Sequence, residues 1–158
     1  MTSPGEPWVV SEATQRDREA WTRLYTAYAA SAGDELSDAH LATVWSWILD
    51  DSAGTSCLLL WRDDRPVGLA HWRRFERPLA GTVGCYLDDL FVDERLRGRG
   101  GARELLRHLA ALAADHGWTT VRWTTGEGNP AQHLYDSVAE RVPVITYDMA
   151  PADLSSSG

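Results

Sequence analysis

Apolar residues recur at helical spacing in three stretches of this chain and at strand spacing in several others. Trp21, Leu24, Tyr25 and Tyr28 fall on one face of a first helix, and Thr14 with Asp17 three residues on supplies its capping box. Ser31-Ala32-Gly33 breaks the pattern. Ser37 then stands as an N-cap for a second helix with Leu41, Val44, Trp45 and Ile48 on one side, so a helical hairpin is expected. A third helix over 101–115 carries Leu105, Leu106, Leu109, Leu112 and Ala113 and ends at Gly117.

Strand patterns fill the intervals. A short strand is expected at 8–10, an antiparallel pair at 56–62 and 67–74 around Asp63-Asp64-Arg65-Pro66, and a long strand at 82–92. A further strand at 119–124 places Val121 and Trp123 on one face, a short helix covers 130–138, and a final strand runs over 142–149. Strand 82–92, helix 101–115 and strand 119–124 imply a right-handed parallel crossover inside a mostly antiparallel sheet, hence a mixed α/β fold with flanking helices.

A chain of 158 residues suits one domain, expected at 1–150, with a disordered tail at 151–158. No stretch approaches the roughly 20 apolar residues of a membrane span, and residues 1–6 lack the parts of a secretory leader, so a cytoplasmic protein is expected. Cys57 and Cys85 sit in apolar runs without metal-ligand spacing, which predicts buried thiols and no metal site. The net charge of −8 argues against nucleic acid and anionic membranes as partners and favours cationic ligands. All 15 basic residues are Arg, a bias that fits a GC-rich bacterial genome.

The densest chemical signal is the run from Leu87 to Ala102, where an apolar strand passes through an Arg/Gly-rich turn into a helix. Gly98, Gly100 and Gly101 let successive backbone N–H groups converge, and the helix beginning there adds its positive dipole end. Arg97, Arg99, Arg103 and Arg107 supply charge for phosphate oxygens. Two common phosphate loops are excluded by spacing. A Walker A loop needs Gly-Lys-Ser/Thr, and the chain reads Gly100-Gly101-Ala102-Arg103; a dinucleotide fingerprint from Gly98 needs Gly at 103 and an acid about 20 residues on.

Arg97-Gly98-Arg99-Gly100-Gly101-Ala102 after a long apolar strand resembles the acetyl-CoA pyrophosphate loop of the GNAT family of N-acetyltransferases. The segment Gly128-Asn129-Pro130-Ala131-Gln132-His133-Leu134-Tyr135-Asp136 resembles a second motif of that family, with Asn129 one residue closer to Tyr135 than is usual. The resemblance implies acetyl-CoA as cofactor, held by Arg97, Gly98, Arg99, Gly100, Gly101, Ala102 and Arg103. It further implies that main-chain groups of Leu90, Phe91 and Val92 pair with the pantetheine arm between two splayed parallel strands, with Asn129 contacting the same arm.

Leu87-Asp88-Asp89-Leu90-Phe91-Val92 is similar to the polyamine and small-amine branch of the family, and that likeness places the general base at Asp88 and the general acid at Tyr135. Strand alternation would send Asp88 and Asp89 to opposite faces. Acetyl transfer from sulfur to nitrogen needs such a pair, because the amine must be neutral and the departing thiolate needs a proton. The acceptor is expected to be a primary amine of a small molecule such as a polyamine or amino acid, in a pocket including Tyr28, Glu35, Trp45 and His71. Transfer to protein lysines or N-termini, and a non-catalytic acyl-CoA-binding module, stay open as alternatives. Family precedent also implies a homodimer formed through the last strand.

Overall fold

The computed structural model describes residues 7–153 and 155; residues 1–6, read above for a leader, lie outside the described residues. The chain divides into a larger compact unit ending at Thr124 and a smaller one beginning at Thr125. In the larger unit, five strands, β1 (Val9–Glu12), β2 (Thr55–Arg62), β3 (Arg65–Arg77), β4 (Thr82–Val92) and β5 (Val121–Arg122), lie in sequence order. The first four are antiparallel, and β4 and β5 are parallel. The α-helices among its described residues are α1 (Arg18–Ser31), α2 (Asp38–Leu49) and α3 (Gly101–Asp115). The expected mixed α/β architecture is therefore present.

The apolar run in β2 explains the layering. Cys57, Leu58, Leu59 and Leu60 are all buried, so both faces of this strand are covered. Cys57 and Leu59 join Trp21, Leu24, Val44, Trp45, Leu69 and Phe91 in a core beneath α1 and α2. Leu60 points the other way, toward Gly101 at the start of α3, whose buried Leu105, Leu106, Leu109 and Ala113 cover the opposite face. β2 and β3 are joined by Asp63 and Asp64, both at positive φ (51° and 58°), as a two-residue turn that follows the strand twist requires.

Local signals act where expected. The Asp17 carboxylate accepts hydrogen bonds from the Thr14 N–H and hydroxyl, closing a 3-10 turn at Gln15–Asp17 that feeds α1. The Ser37 hydroxyl accepts from the His40 N–H. α1 and α2 meet through ring contacts, Trp21 with Trp45 at 5.0 Å and Tyr25 with His40 at 5.9 Å.

Two expectations are corrected. The strand expected at 119–124 narrows to Val121–Arg122, although Thr119 N–H and Thr120 C=O still bond to Val83 and Cys85. The final strand expected at 142–149 does not form: among the described residues no ladder partner pairs with it, and Pro143 removes one N–H that a ladder would use. Val142, Val144, Ile145, Tyr147 and Met149 are all exposed there.

The smaller unit contains α4 (Gln132–Val138), two residues shorter at its start than expected. An Asp136–Arg141 ion pair at 2.7 Å follows its end. In the tail, the Ser155 N–H donates to Asp153 Oδ1 at 2.8 Å; residues 154 and 156–158 lie outside the described residues.

Candidate active site

The phosphate loop is built by what surrounds it. The Asp93 N–H donates to Val67 C=O at 2.7 Å as β4 ends, and Asp93 then caps a 3-10 turn at Glu94–Leu96 by accepting from the Arg95 N–H. Gly98 (φ +76°) and Gly100 (φ +90°) take the left-handed conformation that turns the chain into α3. Gly101 has a different reason to be glycine. A Cβ there would lie 2.9 Å from Leu60 Cδ2 and 3.4 Å from the Trp8 ring, so the helix start is seated directly on both. Trp8 also donates from Nε1 to Arg99 C=O at 3.2 Å.

Among the described residues no side chain caps α3 at Gly100, so the start of its first turn, at Gly101 and Ala102, presents N–H groups that an external acceptor such as a phosphate can take. Arg97 turns back, donating from Nε to Val92 C=O at 3.3 Å. Arg107, expected to add charge for phosphate, is instead paired with Glu104 at 2.6 Å.

The second feature is an open strand edge. β4 and β5 pair only at Cys85↔Val121 and Tyr86↔Arg122. Beyond that point β4 continues to Val92 with β3 on one side and, among the described residues, no strand on the other. The β4 edge leading into the glycine loop is thus open, with the backbone of Leu90 and the Val92 N–H turned toward it by strand alternation, while Phe91 pairs with Leu69 on β3 and the Val92 C=O is taken by Arg97. A linear chain carrying amides can pair with such an edge, so the residues present fit a pantetheine-pyrophosphate ligand.

A β-bulge changes the reading of the two carboxylates. In the β3–β4 register His71 faces Asp89 but Trp72 faces Leu87, leaving Asp88 as the extra residue. Alternation is broken there. Arg73 donates from Nε to Asp88 Oδ2 at 3.0 Å, and His71 Nδ1 lies 2.8 Å from Asp89 Oδ2. Because His71 and Arg73 are two apart on β3, both carboxylates reach side chains on one sheet face, not on opposite faces as alternation alone implied. That face belongs to α1 and α2.

The acceptor residues expected from the sequence divide by burial. Tyr28 is half-buried, stacked on Tyr25 at 6.4 Å between ring centroids and 6.1 Å from Phe91. Glu35 is exposed between α1 and α2. Trp45 and His71 are interior, and His71 has both ring nitrogens engaged, by Trp21 and by Asp89. Trp21 and Asp89 join the site without any signal in the sequence that marks them for it. Helical spacing marks Trp21 as core, and no local signal announces a partner 50 residues away.

In the smaller unit, burial raises the pKa of Tyr135, keeping its hydroxyl protonated. The Asn129 side chain is engaged locally, donating to Thr125 Oγ1 at 3.0 Å and accepting from the Ala131 N–H at 2.9 Å. Both cysteines are buried. Burial, with Asp88 second, pushes the Cys85 thiol up to about 11, and burial also raises Cys57, so neither is an activated nucleophile. No group of three or more His, Cys, Asp or Glu among the described residues is placed to hold a metal ion, and no helix there is long and apolar enough to cross a membrane.

Known proteins share this fold. The chain is 26% identical over 142 residues to the D-amino-acid N-acetyltransferase HPA3 of Saccharomyces cerevisiae, covering 88% of each. Its fold is similar to a ribosomal-protein-alanine N-acetyltransferase from Brucella melitensis biovar Abortus 2308 (TM-score 0.78, 18% identity, 92% and 99% of the chains covered). It is equally similar to the aminoglycoside N-acetyltransferase AAC(6')-Iy in complex with CoA (TM-score 0.78, 16% identity, 96% and 100% covered). The family model described as Acetyltransferase (GNAT) family matches residues 19–138, three quarters of the chain. With that match spanning the strand, loop and helix just described, the chain belongs to the GNAT acetyltransferase family and is an N-acetyltransferase.

Proposed function

We propose that this protein transfers the acetyl group of acetyl-CoA directly to a primary amine of a small molecule. The observation that carries the reading is the β4 edge, open from residue 87 and continuous with a glycine loop whose helix start, among the described residues, has no side-chain cap. Residues Arg97 to Arg103 would hold the pyrophosphate, and the backbone of Leu90 and the Val92 N–H the pantetheine amides. Acetyl-CoA would supply an activated thioester. The family likeness assigns Asn129 to the same arm, Asp88 to proton acceptance and Tyr135 to proton donation. In the transfer a C–N bond forms and the C–S bond breaks; the amine proton goes to Asp88 directly or through water, and the thiolate takes one from Tyr135.

Support for a small acceptor comes from relatives: HPA3 is named for D-amino acids, and AAC(6')-Iy has been captured with a CoA-linked acetylneamine analogue. The polyamine and small-amine branch is carried forward on the Leu87–Val92 motif. Mass spectrometry of products from acetyl-CoA with polyamines, D- and L-amino acids, aminoglycosides and lysine peptides tests the substrate class. Acetylation of small amines is expected; acetylation of peptides alone would replace this reading with a protein acetyltransferase. A homodimer is part of the proposal, since residues 142–149 expose five large apolar side chains. Sedimentation at micromolar concentration checks it, and a monomer would remove it.

A further inference from the structure

Trp21 on α1 and His71 on β3 meet in the core, where the indole Nε1–H donates to His71 Nε2 at 2.8 Å. An indole N–H can only donate, so Nε2 must be bare and the ring proton sits on Nδ1. That proton faces Asp89 Oδ2 at 2.8 Å. A directed line of two hydrogen bonds therefore runs from Trp21 through a neutral His71 to the Asp89 carboxylate. His71 is 2% exposed, whereas the Asp89 side chain is 26% exposed, so the line emerges at Asp89. Among the described residues His71 is the hydrogen-bond partner of this carboxylate, and it uses Oδ2. Oδ1 is left for something else.

Aromatic rings surround the same spot. Tyr25 stands edge-on to His71 at 4.8 Å, stacks on Tyr28, and its hydroxyl lies 3.2 Å from His40 Nε2. Tyr28 reaches Phe91, two residues beyond Asp89 on β4. Burial raises the Tyr25 pKa, and the Asp89 charge raises it further, which puts this hydroxyl within the field of the carboxylate. A partly exposed carboxylate held on one oxygen, by a histidine that packs against an aromatic cluster, suits an organic cation.

We propose that Asp89, oriented by Trp21 and His71, binds the primary ammonium group of the acceptor at Oδ1 against the rings of Tyr25, Tyr28 and Phe91. Trp21 and His71 are positioning residues. Calling the cation an acceptor rests on the transferase reading; the cation site does not.

The test is 15N NMR of the His71 ring in the full chain, titrated with butylammonium and, separately, with 1-butanol. The free protein should give the Nδ1–H tautomer, butylammonium should shift it saturably, and 1-butanol should act at least about tenfold more weakly, the scale of one charge-assisted hydrogen bond. Asp89→Asn keeps an oxygen to accept from His71 but removes the charge, so it should abolish the difference. Equal responses to amine and alcohol, which need no variant to observe, would overturn the proposal, as would an unchanged response in Asp89→Asn. Butylammonium binding in a protein that transfers acetyl to no amine would sink the transferase reading alone.

Discussion

Asp88 and Asp89 are neighbours on β4, yet Asp88 is held by Arg73 and Asp89 by His71, two residues apart on one face of β3. The bulge that makes this possible puts two carboxylates with different partners on one sheet face. In the proposed reaction it would separate two tasks, binding the acceptor as a cation and accepting its proton.

Kinetics can read that division. Asp89→Asn should raise the acceptor KM about tenfold or more with a smaller effect on kcat, while Asp88→Asn should lower kcat on the order of 10²-fold. Isothermal titration should find acetyl-CoA affinity nearly unchanged in both. Identical kinetic signatures for the two variants would contradict the division.

Tyr135→Phe should lower kcat by about 10²-fold at unchanged acetyl-CoA affinity if the hydroxyl supplies the thiolate proton. Because burial raises its pKa, the proton is held to higher pH than in a free tyrosine. The pH–kcat profile should therefore contain no loss assignable to Tyr135 below about pH 10.

Gly68 bears on the geometry of β4 from the other side. A Cβ there would lie 2.7 Å from the Phe91 carbonyl oxygen and 3.3 Å from Leu60, so Gly68→Ala must push β3 and β4 apart. A loss of about 1–3 kcal/mol in urea unfolding is expected, together with weaker acetyl-CoA binding. Unchanged stability would mean that the strands do not approach this closely.

Alkaline pH should destabilise the fold through Cys85. Its thiol is pushed from an ordinary 9.0 to about 11, so its contribution is complete below pH 9 and is lost as pH rises to 11. The contribution is about 2–3 kcal/mol. Urea unfolding across that interval should show a shallower decline in Cys85→Ala; parallel curves would contradict the assignment.

Much of this site could be read from residue order, because its parts are local. Glycines at 98, 100 and 101 between a strand and a helix describe the loop whatever the rest of the chain does, and the Thr14 and Ser37 caps mark two helix starts within a few residues. The bulge at Asp88 depends on how β4 registers against β3, so alternation along β4 misassigned the faces of its two carboxylates. Trp21 reads as an ordinary apolar-face residue and His71 as a pocket residue, and only tertiary structure joins them. The apolar residues of 142–149 looked like a strand because pattern cannot report whether a partner strand exists.

Thiol release from acetyl-CoA, followed continuously with the purified protein in the presence and absence of small primary amines, tests the central claim most directly. The account predicts release that depends on the amine, saturates with it and yields the N-acetylated product. Tight acetyl-CoA binding with no release for any amine or peptide would contradict it and leave an acyl-CoA-binding module in its place.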